Sequence, residues 1–114
     1  VARLNIDQIV EAKDLAESEI EVKEWGGSVL VRGLGYGEWV DVRDASVVGG
    51  QHDETLFTRK LLAAALVDPV VNEEQATLLL GKNLTAIDRV VDEIMTLSGV
   101  KPGAVQAAEA TFPG

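Results

Sequence analysis

Residues 19–34 read Glu-Ile-Glu-Val-Lys-Glu-Trp-Gly-Gly-Ser-Val-Leu-Val-Arg-Gly-Leu, two alternating runs either side of a Gly-Gly pair. Alternation puts successive side chains on opposite faces of a strand. Glycine tolerates positive φ without steric cost, so Gly26-Gly27 predicts a two-residue hairpin turn. In that register Ile20, Val22, Val29 and Val31 share one face. Glu21 then faces Arg32 and Lys23 faces Leu30 on the other. Cross-strand apolar pairs and opposite charges contribute roughly 0.2–1 kcal/mol each. An isolated hairpin is marginal in water, so its apolar face requires a cover.

The rest of the chain supplies that cover as helices. Asn5 or Asp7 caps a first helix expected over 6–15, with Ile6, Ile9 and Val10 on one side. Acidic residues lead from it into the hairpin. Residues 38–44 fit strand or helix, with helix the preferred expectation. Gly49-Gly50-Gln51-His52-Asp53 reads as a flexible loop. From Glu54 to Val67 the pattern is helical, with Leu61, Leu62, Ala65 and Leu66 as its apolar stripe, and Asp68-Pro69 stops it. Asn72 and Gln75 form a capping-box pattern for a helix to about Leu80, with Gly81 as its C-cap. Another helix is expected from Leu84 to Ser98, with Leu84, Ile87, Val91, Ile94 and Met95 inward and Gly99 ending it. Thr85 and Asp88 offer an alternative start signal. An Ala-rich helix follows at 104–111. Strands segregated from helices predict an α+β domain spanning 1–114: a short helix, a β-hairpin or small antiparallel sheet at 19–34, then a bundle of about four helices within 54–112.

Composition narrows the function classes. The chain has 114 residues and 46% hydrophobic content, enough for one domain with an aliphatic core. Nineteen acidic against ten basic residues give a formal charge of -9, which repels phosphate backbones, so no nucleic-acid partner is expected. The chain has no cysteine, which removes disulfides and thiolate metal sites and fits a reducing compartment. No apolar run approaches the ~20 residues that span a bilayer, so no membrane partner is expected. The chain opens Val-Ala-Arg-Leu-Asn-Ile-Asp, with no apolar leader and no initiator Met, and a different natural N-terminus is expected.

His52 is the one histidine, and a zinc site needs three or four ligands from His, Cys and carboxylates, so a solvated loop residue is expected. Gly33-x-Gly35-x-Gly37 follows a strand, but the dinucleotide pattern needs a third glycine three residues after the second, and that position is Glu38, whose charge would also repel a phosphate there. A structural turn is the better reading. Asp88, Arg89, Asp92 and Glu93 stand at i,i+4 spacings that predict a solvated face laced with ion pairs, Arg89 with Glu93 included. Ser18, Ser28, Ser46 and Ser98 lack a nucleophile-elbow context. No catalytic residue, cofactor or metal is expected. The remaining candidates are for protein interaction: Trp25, Leu30, Tyr36 and Trp39, of which Trp25 and Leu30 fall on the hairpin face away from the expected core.

The pattern Glu-Val-x-Glu-Trp-Gly-Gly-x-Val-x-Val-Arg-x-Leu at 21–34 resembles the tail assembly chaperones of long-tailed siphophages. The likeness continues in order through Glu38-Trp39-Val40-Asp41, a helix ending Leu66-Val67-Asp68, the pair Glu73-Glu74, Ile87-Asp88 to Ile94, and Leu97-Ser98-Gly99-Val100. Gln106 to Phe112 is similar to the family's closing Glu-Ala-x-Lys-Asn-Phe, with Ala-Thr replacing Lys-Asn. Gly35-Tyr36-Gly37 departs from the family's Thr/Ser-type helix cap. The resemblance implies a non-enzymatic protein of the bacterial host cytoplasm that binds the tape measure protein, recruits tail tube protein, acts as a homo-oligomer and is left out of the virion. The alternative is a structural tail or head–tail connector subunit.

Overall fold

A computed structural model describes residues 2–100. The hairpin forms from β1 (Glu17–Val22) and β2 (Gly27–Arg32), paired antiparallel. Its register differs from the expected one. Glu17 faces Arg32 where Glu21 was expected, and Glu19 faces Leu30 in place of Lys23, a slide of four positions (21 to 17). The reason lies in the connection. Lys23–Trp25 forms a 3-10 turn closed by Gly26 at φ 74°, and Gly27 is already the first residue of β2, opposite Val22. Because the slide is even, every side chain keeps its face. Ile20, Val22 and Val31 are buried and Val29 is packed against them, as the alternation predicts.

The Gly-Gly two-residue turn occurs elsewhere. Val47–Val48 (β3) and Gln51–His52 (β4) pair antiparallel around Gly49 and Gly50, whose φ values are 59° and 79°. Positive φ at both central positions is what such a hairpin turn requires, so the segment expected as a flexible loop is a tight hairpin.

A third strand completes the main sheet. The expected helix 54–67 stops early: α3 is Glu54–Ala65, and Leu66–Asp68 becomes β5, antiparallel to β2. The order β1-β2-β5 makes β2 central. Asp68 is extended as a residue before proline tends to be. The 38–44 ambiguity resolves to helix α2 (Tyr36–Ala45). With no side chain at Gly35 to cap it, the Gly35 N–H donates to Glu38 Oε1 at 3.1 Å.

α4 (Glu73–Leu79) begins in the expected capping box: Asn72 Oδ1 accepts from Gln75 N–H at 2.8 Å, and Gln75 Oε1 from Asn72 N–H at 3.0 Å. α5 (Leu84–Leu97) is capped by Asn83, not by a Thr85/Asp88 start, and Gly99 at φ 81° follows its end. Its buried stripe is Ala86, Ile87, Val90, Ile94 and Met95. Val91 packs at the edge, and Leu84, expected inward, is 73% exposed because it precedes the Ala86–Val90–Ile94 line. The core lies between the inner face of β1 and β2, against which α5 packs, and α3, which also meets α2 and α4. The four helices α2–α5 with the small antiparallel sheet give the expected α+β class. The helix expected at 104–111 and the closing motif lie outside the described residues.

Candidate functional site

The four interaction candidates take four different situations. Trp25 sits in the 3-10 turn, outside both strands, and is packed against the core, so it does not share an outer hairpin face with Leu30. The turn that displaced the register folds the indole inward. Its Nε1–H is buried with no acceptor among the described residues. Next to it, Glu24 accepts from Arg89 Nη1 at 2.9 Å and Nη2 at 3.2 Å, clamping the turn onto α5. Arg89 therefore reaches across the fold instead of pairing with Glu93 along its own helix. These bonds hold the Glu24 carboxyl below the usual range.

Leu30 is half-buried on the sheet's outer face, between cross-strand partners Glu19 and Asp68. Trp39 packs toward the core, edge-on to Phe57 with ring centroids 5.7 Å apart at 85°. Such edge-to-face pairs add about 0.5–1.5 kcal/mol beyond burial. His52, expected to be a solvated loop residue, lies half-buried in β4 with its ring 5.4 Å from that of Phe57. Tyr36 is the one candidate of the four that stands free, 87% exposed at the start of α2.

The Gly33-x-Gly35-x-Gly37 segment is a structural junction. Arg32 makes a bidentate pair with Glu38 (Nη1 to Oε1 2.8 Å), and also donates to the carbonyls of Gly33 and Ala64, each at 3.1 Å. One guanidinium thus ties β2 to the first turn of α2 and the end of α3. At Gly33 the chain passes so close to α5 that the space for a side chain is filled by the Leu97 carbonyl. Leu34 N–H donates to Ser98 Oγ at 2.8 Å, and Ser98 Oγ donates to the Ile94 carbonyl at 2.6 Å.

Hydrogen bonding to Arg32 holds the Glu38 carboxyl below the usual range against the opposing effect of burial, and the Gly35 N–H adds to the lowering. A depressed folded-state value stabilises the fold above the ordinary carboxylate pKa of 4.5 and is lost as pH falls through the lowered value. Unfolding by urea across about pH 3–6 is therefore expected to show stability declining on the acid side. Glu38→Gln should flatten that decline and cost roughly 1–2 kcal/mol at neutral pH, limited by the pair's partial exposure. An unchanged acid limb in Glu38→Gln would remove the Arg32–Glu38 junction as its source.

The serines are likewise structural in their bonding. Ser46 Oγ donates to the Val42 carbonyl at 2.6 Å and Ser28 Oγ to Glu19 at 2.6 Å. Among the described residues no three His, Cys, Asp or Glu side chains form a group that could hold a metal ion. No described helix is long and apolar enough to cross a membrane.

Exposed apolar side chains gather at the first helix, whose one-sided Ile6, Ile9 and Val10 are visible in the chain. α1 (Ile6–Glu11) is shorter than the 6–15 expected and buries no residue. Leu4, Ile6, Ile9, Val10 and Leu15 are five of the eleven exposed large hydrophobics among the described residues. Their spacing was readable in the chain, and of the two candidate caps, Asn5 and Asp7, the structure takes Asn5. The stripe's lack of a partner was not readable, because periodicity reports an apolar face without reporting what covers it.

No family model, no curated protein and no solved structure matches the chain.

Proposed function

We propose that this protein is a tail assembly chaperone of a long-tailed phage. It binds the tape measure protein transiently in the bacterial host cytoplasm, keeps it soluble and extended, recruits tail tube protein, and stays out of the finished particle. The observation that carries this reading is the ordered resemblance from Glu21 to Val100, in which each matched segment is short but the series runs through the chain without rearrangement.

The physical chemistry supports the role. A client with long apolar helical stripes needs apolar surface to meet it. It also needs a chaperone charged enough to keep the complex dispersed, and a formal charge of -9 meets that need. Several copies of the chaperone along one client would raise overall binding strength without a tight individual site, the sense in which a homo-oligomer belongs to this proposal.

Co-expression with a tape measure protein is the direct test. The client is expected to move from the pellet to the supernatant and to co-purify. Equal precipitation with and without the chain would sink the reading. Mass spectrometry of purified particles separates it from the structural-subunit alternative, since a chaperone should be missing from them.

A further inference from the structure

We propose that the N-terminal arm, α1 with its flanking residues, is a docking site for a basic amphipathic helix of another protein. Every residue from 2 to 17 is exposed, and no residue of α1 is buried against the body of the described chain. Helices shorter than ~12–15 residues are marginal in water without tertiary packing. Yet the arm carries a complete start signal: Asn5 Oδ1 accepts from Gln8 N–H at 2.8 Å, and Gln8 Oε1 accepts from Asn5 N–H at 2.9 Å.

The exposed surface has a defined pattern. Ile6, Ile9 and Val10 stand at i, i+3 and i+4 and form one stripe, exposed 69%, 53% and 73%. Asp7 and Glu11, also four apart, border that stripe on the Val10 side. Further along, β1 turns Glu17, Glu19 and Glu21 to the outer face of the sheet. No ion pair engages Asp7, Glu11 or Glu21 among the described residues.

Charge selects the occupant. Arg3 and Lys13 lie outside α1, whereas Asp7 and Glu11 border the stripe itself, so on a chain of formal charge -9 this surface disfavours phosphate backbones, anionic bilayers and the same stripe of a second copy. The complementary surface is a helix whose own apolar stripe is flanked by Lys or Arg. Docking would bury the aliphatic side chains, pair Asp7 and Glu11, and give α1 the packing it lacks. This chemistry is the same whether or not the client is a tape measure protein.

The experiment uses the full chain and amidated peptides of ~20 residues. One has Leu at i, i+3, i+4 and i+7 and Lys on the other positions, one has Glu in place of Lys, and one is a scramble of the Lys peptide. The Lys amphipath is expected to bind about tenfold or more tightly than either control. It should slow hydrogen exchange at the amides of residues 8–12 and weaken as salt rises. The exposed double variant Ile6→Ser/Ile9→Ser should weaken binding by about tenfold or more, while Leu84→Ser should leave it unchanged. Equal binding of the scramble, or full binding by the double variant, would overturn the proposal. So would self-association of the chain without peptide that Ile6→Ser/Ile9→Ser abolishes, since the stripe would then be occupied by a second copy. Client solubilisation is a separate readout, so failure here and failure of the chaperone reading are distinguishable.

Discussion

Leu61→Ala is expected to lower the unfolding free energy by about 3 kcal/mol, within the range of 2–5 seen for truncating a buried leucine. Leu61 is fully buried on α3, the helix that meets α2, α4 and α5, so several elements border the cavity and cannot all collapse into it. Against a total stability of about 5–15 kcal/mol, that loss removes a large share of the folded population's margin. In thermal unfolding it corresponds to a fall of roughly 10–20 °C for a domain of this size. Leu84→Ala, at a 73% exposed position, is the internal control and should change stability by less than about 0.5 kcal/mol. Similar losses at the two positions would mean that α3 is not the centre of the core.

Gly33→Ala is the second large effect. A Cβ at Gly33 would lie 2.5 Å from the Leu97 carbonyl oxygen and 2.7 Å from its carbon. Both obstacles are backbone, so no rotamer change relieves the clash. Either the end of β2 or the end of α5 must move, and the 2.8 Å bond from Leu34 N–H to Ser98 Oγ goes with it. Overpacking of this kind costs about 1–3 kcal/mol, and the rigid neighbours place Gly33→Ala toward the upper end. Gly27→Ala gives the contrast. Nothing lies within 4 Å of its Cβ position and its φ is not positive, so a near-neutral urea midpoint is expected. Substitutions at the Leu97 side chain should not rescue Gly33→Ala, because the carbonyl and not the side chain is in the way. Rescue by Leu97→Ala would refute that account.

Arg32 and Arg89 show why the polar junctions were harder to read than the core. Each has a carboxylate at a favourable local spacing or cross-strand position, and each bonds instead to a glutamate on a different element: Glu38 for Arg32, Glu24 for Arg89. Long flexible cations find their partners after the elements have packed, and sequence spacing alone does not rank a nearby carboxylate against one 65 residues away. The interaction candidates divide in the same manner. Trp25 and Trp39 carry signals shared by core and interface, and packing took both inward. Tyr36 and the Ile6–Ile9–Val10 stripe were left outside.

The amino-acid sequence by itself determined the α+β class, the faces of the hairpin strands, the capping box at Asn72, and the inward Leu61, Leu62 and Ala65 of α3, though not its buried Phe57. These depend on periodicity and on bonds made within a few residues, and they survived a four-position slip of register (21 to 17 opposite Arg32) because faces repeat every two residues. Only the tertiary structure decided which Gly-Gly pair makes the two-residue turn, that Leu66–Asp68 leaves its helix to pair with β2, and that the first helix is left without cover. Each of those outcomes compares a local preference with contacts between residues far apart in the chain. A short apolar run such as Leu66-Val67 satisfies helix and strand alike until β2 is beside it.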